Sequence, residues 1–159
     1  MGFLRVAGTA MVLLSGMLFG MSLNRGLREE LARGEAYGRL VRWVRLQVSC
    51  FALPIGDILR RADPALLYAC GWRREGTPED LSDLLSAGAP TDGELSRLLF
   101  ELSAEFGREY RQEQVARCDY YLKEIETRTE GMRARMDGKR RVNLTLCSAG
   151  AAALVILFI

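Results

Sequence analysis

The chain has 159 residues, 22 of them Lys or Arg and 20 Asp or Glu, for a net charge of +2 at neutral pH. So close a balance lacks the basic excess of a nucleic-acid binder, and the absence of any histidine removes the commonest general base and metal ligand. Hydrophobic content of 49% beside 26% charge looks like a soluble protein, but it averages two uncharged ends and a very polar middle.

The first element is "VAGTAMVLLSGMLFGMSL", residues 6–23, which is 18 residues without a charge. That is the lower end of what a membrane-spanning helix needs. Arg5 precedes the run and Arg25 follows it. A cleaved signal peptide would want a richer positive start and a clearer small-x-small site than Gly20 and Ser22 offer, so the pattern favours a retained anchor. Within it Gly16 and Gly20 form a small-xxx-small pair, which allows two helices to approach closely in lipid.

A long helix is predicted over residues 24–52. Tyr37, Val41, Val44, Val48 and Phe51 recur at spacings of four, three, four and three, an a/d seam. Leu27 and Gly34 extend the register backwards, and Glu30 interrupts it. Leu53-Pro54 stops the helix.

Residues 53–107 are punctuated by caps and should hold two or three short helices. Asp63-Pro64 reads as an N-cap with Pro at the first helical position. "TPED" (77–80) supplies a cap, a proline and first-turn acids. "TDGE" (91–94) fits a capping box on Thr91. Leu81, Leu84 and Leu85, then Leu95, Leu98, Leu99 and Leu102, follow at helical spacing, and Gly107 marks a bend. From Glu75 to Glu105 there are eight acids and one base.

A second long helix is predicted over 108–141. Val115, Cys118, Leu122, Ile125, Thr129, Met132 and Met136 form another a/d seam, narrow enough to suit one partner helix. Lys139, Arg140 and Arg141 then precede a second uncharged run, residues 142–159. Ala149 and Ala153 in that run are small enough to face Gly16 and Gly20.

Lys and Arg crowd the inner flank of both runs: Arg25, Arg28, Arg33, Arg39 and Arg42 after the first, and Arg133, Arg135, Lys139, Arg140 and Arg141 before the second. The positive-inside rule therefore places 24–141 in the cytoplasm and both termini outside. The expected architecture is all-α. Two terminal membrane helices (1–23 and 142–159) flank a cytoplasmic helical domain (24–141) built on a long antiparallel hairpin. The long arms would measure about 43 and 50 Å at 1.5 Å per residue. The short acidic helices would form a tip at the membrane-distal end. Asp83, Glu94 and Glu101 are the candidate partner-binding residues there, since basic flanks are suited to the anionic inner leaflet instead.

No catalytic constellation emerges. Cys50, Cys70, Cys118 and Cys147 have no C-x-x-C spacing and no histidine to activate them. "GMRARMDGK" (131–139) misses the phosphate-loop spacing and lies in a helical seam. Glu79, Asp80 and Asp83 suit the start of a helix better than a metal. No cofactor is implied.

In layout the chain resembles the stage III sporulation protein AB family, over its whole length. The resemblance rests on a short glycine-containing apolar span (Gly16, Gly20), a charged helix broken at Pro54, Phe106-Gly107 followed by Gln114, and a terminal span with Gly150. The chain departs from the family pattern at Gln47, Cys50-Phe51 and Tyr110. The resemblance implies a mother-cell membrane protein of the channel to the forespore. Its fold would be similar to the helical domains of the type II secretion and type IV pilus platform protein. The implied partners are the other proteins of that sporulation operon, above all the secretion-type ATPase, stage III sporulation protein AA. Such a protein is a scaffold rather than an enzyme, and copies of it could associate. The alternative from another class is a generic membrane-tethered coiled-coil adaptor of a different secretion or division complex.

Gly20→Ile should weaken assembly of the membrane complex while leaving insertion intact, as read by co-purification from detergent extracts. Unchanged assembly would remove the close-packing role of the Gly16/Gly20 pair.

Overall fold

The computed structural model describes the backbone of residues 2–51, 53–107 and 110–158, and the side chains of residues 25–51, 53–107 and 110–138. Its elements are all helical: α1 (Gly2–Phe51), α2 (Ile55–Arg60), α3 (Pro64–Cys70), α4 (Leu81–Gly88), α5 (Gly93–Glu105) and α6 (Arg111–Phe158). Among the described residues no helix is long and apolar enough to cross a membrane. The two uncharged runs, with Gly16, Gly20, Cys147, Ala149 and Ala153, lie outside the described side chains. Their backbone is helical and continuous with α1 and α6.

Two compact units divide the chain. One comprises residues 30–131, the other residues 1–29 together with 132–159. The folded body is therefore narrower than the expected 24–141. The first unit carries 14 bases and 18 acids, net −4, and the second carries 8 bases and 2 acids, net +6.

Within residues 30–131, α1 and α6 run antiparallel, as the two seams require. A Cβ on Gly34 would lie 2.9 Å from Thr129 Cγ2, and one on Gly38 would lie 3.6 Å from Ile125 Cγ2. Further along, Arg45 donates to Asp119 (Nη2–Oδ2, 2.9 Å) and Arg111 donates to the Ser49 carbonyl. Tyr37, Val41, Val44 and Val48 are buried, as are Cys118, Leu122, Ile125 and Thr129. Phe51 is not: it is 64% exposed, because α1 ends there and α6 begins only at Arg111. Val115 is partly buried against Val44, Val48 and Ile58. Met132 and Met136 fall in the other unit and are partly exposed.

The seam is half of what α1 buries. Ala36, Leu40 and Gln47 are also buried, with Trp43 partly so, and they form a second stripe one residue behind the first. An α1 covered on two stripes is a bundle helix rather than an arm of a two-helix coiled coil. The short helices add further cover, with Ile58 against Val44 and Val48 and Leu95 beside Gly34. Ile58 and Leu59 of α2, Leu67 and Cys70 of α3, Leu84 and Leu85 of α4, and Leu95, Leu99 and Leu102 of α5 are all nearly inaccessible.

Each short helix starts on an aspartate or a proline. Pro54 stands before α2, a helix the cap pattern did not reveal. Asp63 caps α3 by accepting from the Ala65 N–H at 2.8 Å. Asp80 caps α4, accepting from Asp83 at 2.7 Å, and Asp92 caps α5, accepting from Leu95 at 2.9 Å. The expected cap on Thr91 is thus displaced by one residue onto Asp92.

The corner after α3 sets the path. Trp72 donates to the Leu67 carbonyl and Gly71 to that of Tyr68, a Schellman closure with Gly71 at φ +107°. There the backbone meets the end of α4 so closely that a Cβ on Gly88 would stand 2.6 Å from Gly71 Cα. Gly88→Ala should therefore lower the stability of the chain by roughly 1–3 kcal/mol through forced separation of the two backbones. Gly138→Ala, with open space around its Cβ, should be neutral or slightly stabilising. Thermal melting followed by circular dichroism reads both; equal melting temperatures for the two variants would refute the crossing as a constraint.

Candidate functional site

The turn between α4 and α5 lies beside the α1 residues nearest position 30. Tyr37 donates to the Gly88 carbonyl at 3.2 Å, Arg33 reaches the Ala89 carbonyl, and the Glu30 carboxylate accepts from the Asp92 N–H at 2.9 Å. Burial pushes the Tyr37 hydroxyl well above its ordinary pKa, so it stays protonated as a donor. Arg128 of α6 closes the same corner, pairing with Asp92 at 3.2 Å and Glu94 at 2.5 Å. Glu30, which interrupts the seam on paper, is thus a partner for the start of α5.

Of the three candidate partner-binding acids, Glu94 stands at this corner, whereas Asp83 follows the start of α4, which lies at the other end: a Cβ on Gly56 would stand 2.9 Å from the Glu79 carbonyl oxygen. Each also has a local partner: Asp83 pairs with Arg74 at 3.0 Å, Glu94 with Arg128, and Glu101 with Arg97 at 2.7 Å. Asp80 has its carboxyl held below the usual range, first by the Asp83 N–H and then by the Ser82 hydroxyl. Glu79 donates its N–H to Asp83 at 3.3 Å. Among the described residues no three His, Cys, Asp or Glu side chains come together as metal ligands would.

The other end of residues 30–131, where α1 passes into α2 and α5 into α6, holds a more open feature. A groove of about 420 Å³ lies between the two bends, within the range of roughly 300–1,000 Å³ typical of binding clefts. Its walls are Val48, Leu53, Pro54, Ile55 and Phe106, with Gly107 at φ +86° turning the chain. The polar side chains in it are those of Arg111 and Gln114. Phe51 and Tyr110, which bracket the bends in sequence, are 64% and 85% exposed. Pro54, Phe106, Gly107 and Gln114, which carry part of the family resemblance, are brought together here by the fold. Sequence periodicity missed the groove because it combines helix ends (Val48, Ile55, Arg111, Gln114) with the connections between them (Leu53, Pro54, Phe106, Gly107).

A second, shallower groove lies between α5 and α6, lined by Glu105, Glu113, Ala116, Arg117, Tyr120 and Tyr121. Tyr121 donates to Glu105 at 3.0 Å, and its hydroxyl is pushed up to about 12, first by burial and then by that carboxylate. Arg117 also pairs with Glu105, so the Glu105 carboxylate is already shared between Tyr121 and Arg117.

Comparison with known proteins finds no family model, no curated protein and no solved structure that matches this chain.

The cysteines divide by environment. Burial raises the Cys70 thiol to about 12 and the Cys118 thiol to about 11, whereas Cys50 is exposed beside the groove end of α1. A maleimide at neutral pH should therefore label Cys50 rapidly and Cys70 and Cys118 only after denaturation. A Cys147→Ser background keeps the reading to these three. Rapid native labelling of Cys118 would contradict the packed α1–α6 seam.

Proposed function

We propose that this chain is a membrane-held helical scaffold of the stage III sporulation protein AB kind. In this reading residues 6–23 and 142–159 are membrane anchors and residues 30–131 are a cytoplasmic body. Both termini lie outside the mother-cell membrane. The body links a secretion-type ATPase to a membrane complex of the same operon, and it performs no catalysis itself.

One observation carries most of the weight. Each uncharged run is helical and continuous with a long helix of an acidic body, and a net +5 lies between run and body, from residues 24–29 and 132–141. Cations next to apolar runs favour retention on the cytoplasmic side and attraction to anionic headgroups, at about 1 kcal/mol per Lys or Arg. The acidic body has no such affinity. A protein with this division suits a place at a membrane face, where one part is held by lipid and the other meets proteins. The resemblance supplies the particular complex; of the residues that carry it, Pro54, Phe106-Gly107 and Gln114 line the groove at the two bends.

Reporter fusions test the topology. A periplasmic-type phosphatase fused after Ile159 should be active, and one fused after a truncation near residue 60 should be inactive; the reverse pattern would exclude the arrangement. A pull-down with the operon's secretion-type ATPase should retain the full chain. Correct topology without ATPase binding would favour the generic tethered adaptor instead.

A further inference from the structure

The groove at the α1–α2 and α5–α6 bends has apolar walls, and among its described lining residues there is one cation, Arg111, and no carboxylate. Its nearest acid on α6, Glu113, lines the neighbouring α5–α6 groove, and Asp57 on α2 is paired with Arg60. Arg61 is exposed at the end of α2. Arg111 is thus the one charged side chain among the described residues that line the groove.

The apolar character is equally specific. The α1 seam places Tyr37, Val41, Val44 and Val48 at no more than 2% exposure, then leaves Phe51, the next position of the same stripe, at 64%. The stripe continues past the start of its partner helix. Burying an exposed phenylalanine is worth about 1.5–3 kcal/mol in apolar transfer alone. An uncovered seam position beside an open apolar groove is what an incoming hydrophobic anchor would complete.

We infer that this groove docks a segment of a partner protein that presents a large apolar side chain next to a carboxylate. The apolar side chain enters between Val48, Leu53, Ile55 and Phe106 and covers Phe51. The carboxylate meets the Arg111 guanidinium, whose contact with the Ser49 carbonyl fixes it at the groove. Arg is suited to this role, because its planar fork holds a carboxylate in a defined direction. The inference deepens the scaffold reading, since it names the surface and the chemistry of the partner.

The full chain in detergent micelles, displayed as bait to a phage library of random peptides, tests it. Recovered peptides should share a bulky apolar residue within one helical turn of Asp or Glu. Arg111→Glu should weaken them tenfold or more, and as bait it should select Lys or Arg in place of the acid. Phe51→Ser, at an exposed position, should weaken the same peptides with no loss of melting temperature. Peptides without acid enrichment, equal binding by Arg111→Glu, or a library that yields no binder would overturn the proposal. So would self-association of the chain that Phe51→Ser abolishes on sedimentation, which would give the groove to a second copy. Membrane insertion is read independently by the fusions, so failure here leaves the anchor reading standing.

Discussion

The body depends on a contact between two glycines. The backbones at Gly71 and Gly88 approach so closely that neither position has room for a Cβ. That crossing brings the end of α4 against the turn after α3. From there the Gly88 and Ala89 carbonyls meet Tyr37 and Arg33 of α1. Three residues on, Asp92 starts α5 while tied to Glu30 and Arg128. Leu95 of α5 thereby comes against Gly34 of α1, and the leucines of α4 and α5 are buried. Without the crossing, α1 would keep one covered stripe and the short helices would have no common surface to bury.

The same geometry decides what the charges do. Exposed pairs such as Arg97–Glu101 and Arg42–Glu126 contribute little, about 0–1 kcal/mol each. Asp92 is different. Its side chain is only 17% exposed, and it serves at once as the cap of α5 and the acceptor of Arg128. Its backbone N–H is taken by Glu30. One residue thus satisfies groups on three helices, so the polar corner fixes register where leucine packing alone would tolerate sliding.

Much of this was legible from the sequence, for reasons that also mark the limit. All-α class, the stop at Pro54, the cap on Asp63 and the bend at Gly107 follow from local chemistry, which acts over a few residues. The antiparallel pairing follows from two stripes of equal spacing. The second stripe of α1 was hidden because it mixes Ala36, Leu40 and Trp43 with polar Arg33 and Gln47, and a periodicity read from apolar letters alone passes over it. The return of α4 and α5 towards residue 30 was not legible at all. It rests on two glycines 17 positions apart whose contact no spacing rule announces. The acidic stretch was read as a free surface for that reason, although its members are bound by nearby arginines. The groove combines residues from opposite sides of that return path, so only the fold assembles it.

Electrostatics finally separate encounter from recognition at this surface. Screening limits the field of exposed charges to about 8–10 Å at ordinary ionic strength. Residues 30–131 carry a net −4, and Arg111 is the one charge among the described residues that line the groove. An acidic segment gains attraction only within reach of Arg111. Steering therefore adds nothing to the association rate of such a partner, and complex lifetime must come from contact: apolar anchor, covered Phe51 and the charge pair. A groove of this kind selects by what fits it rather than by what drifts towards it, which is the behaviour a scaffold needs when it holds one component of a larger assembly in place.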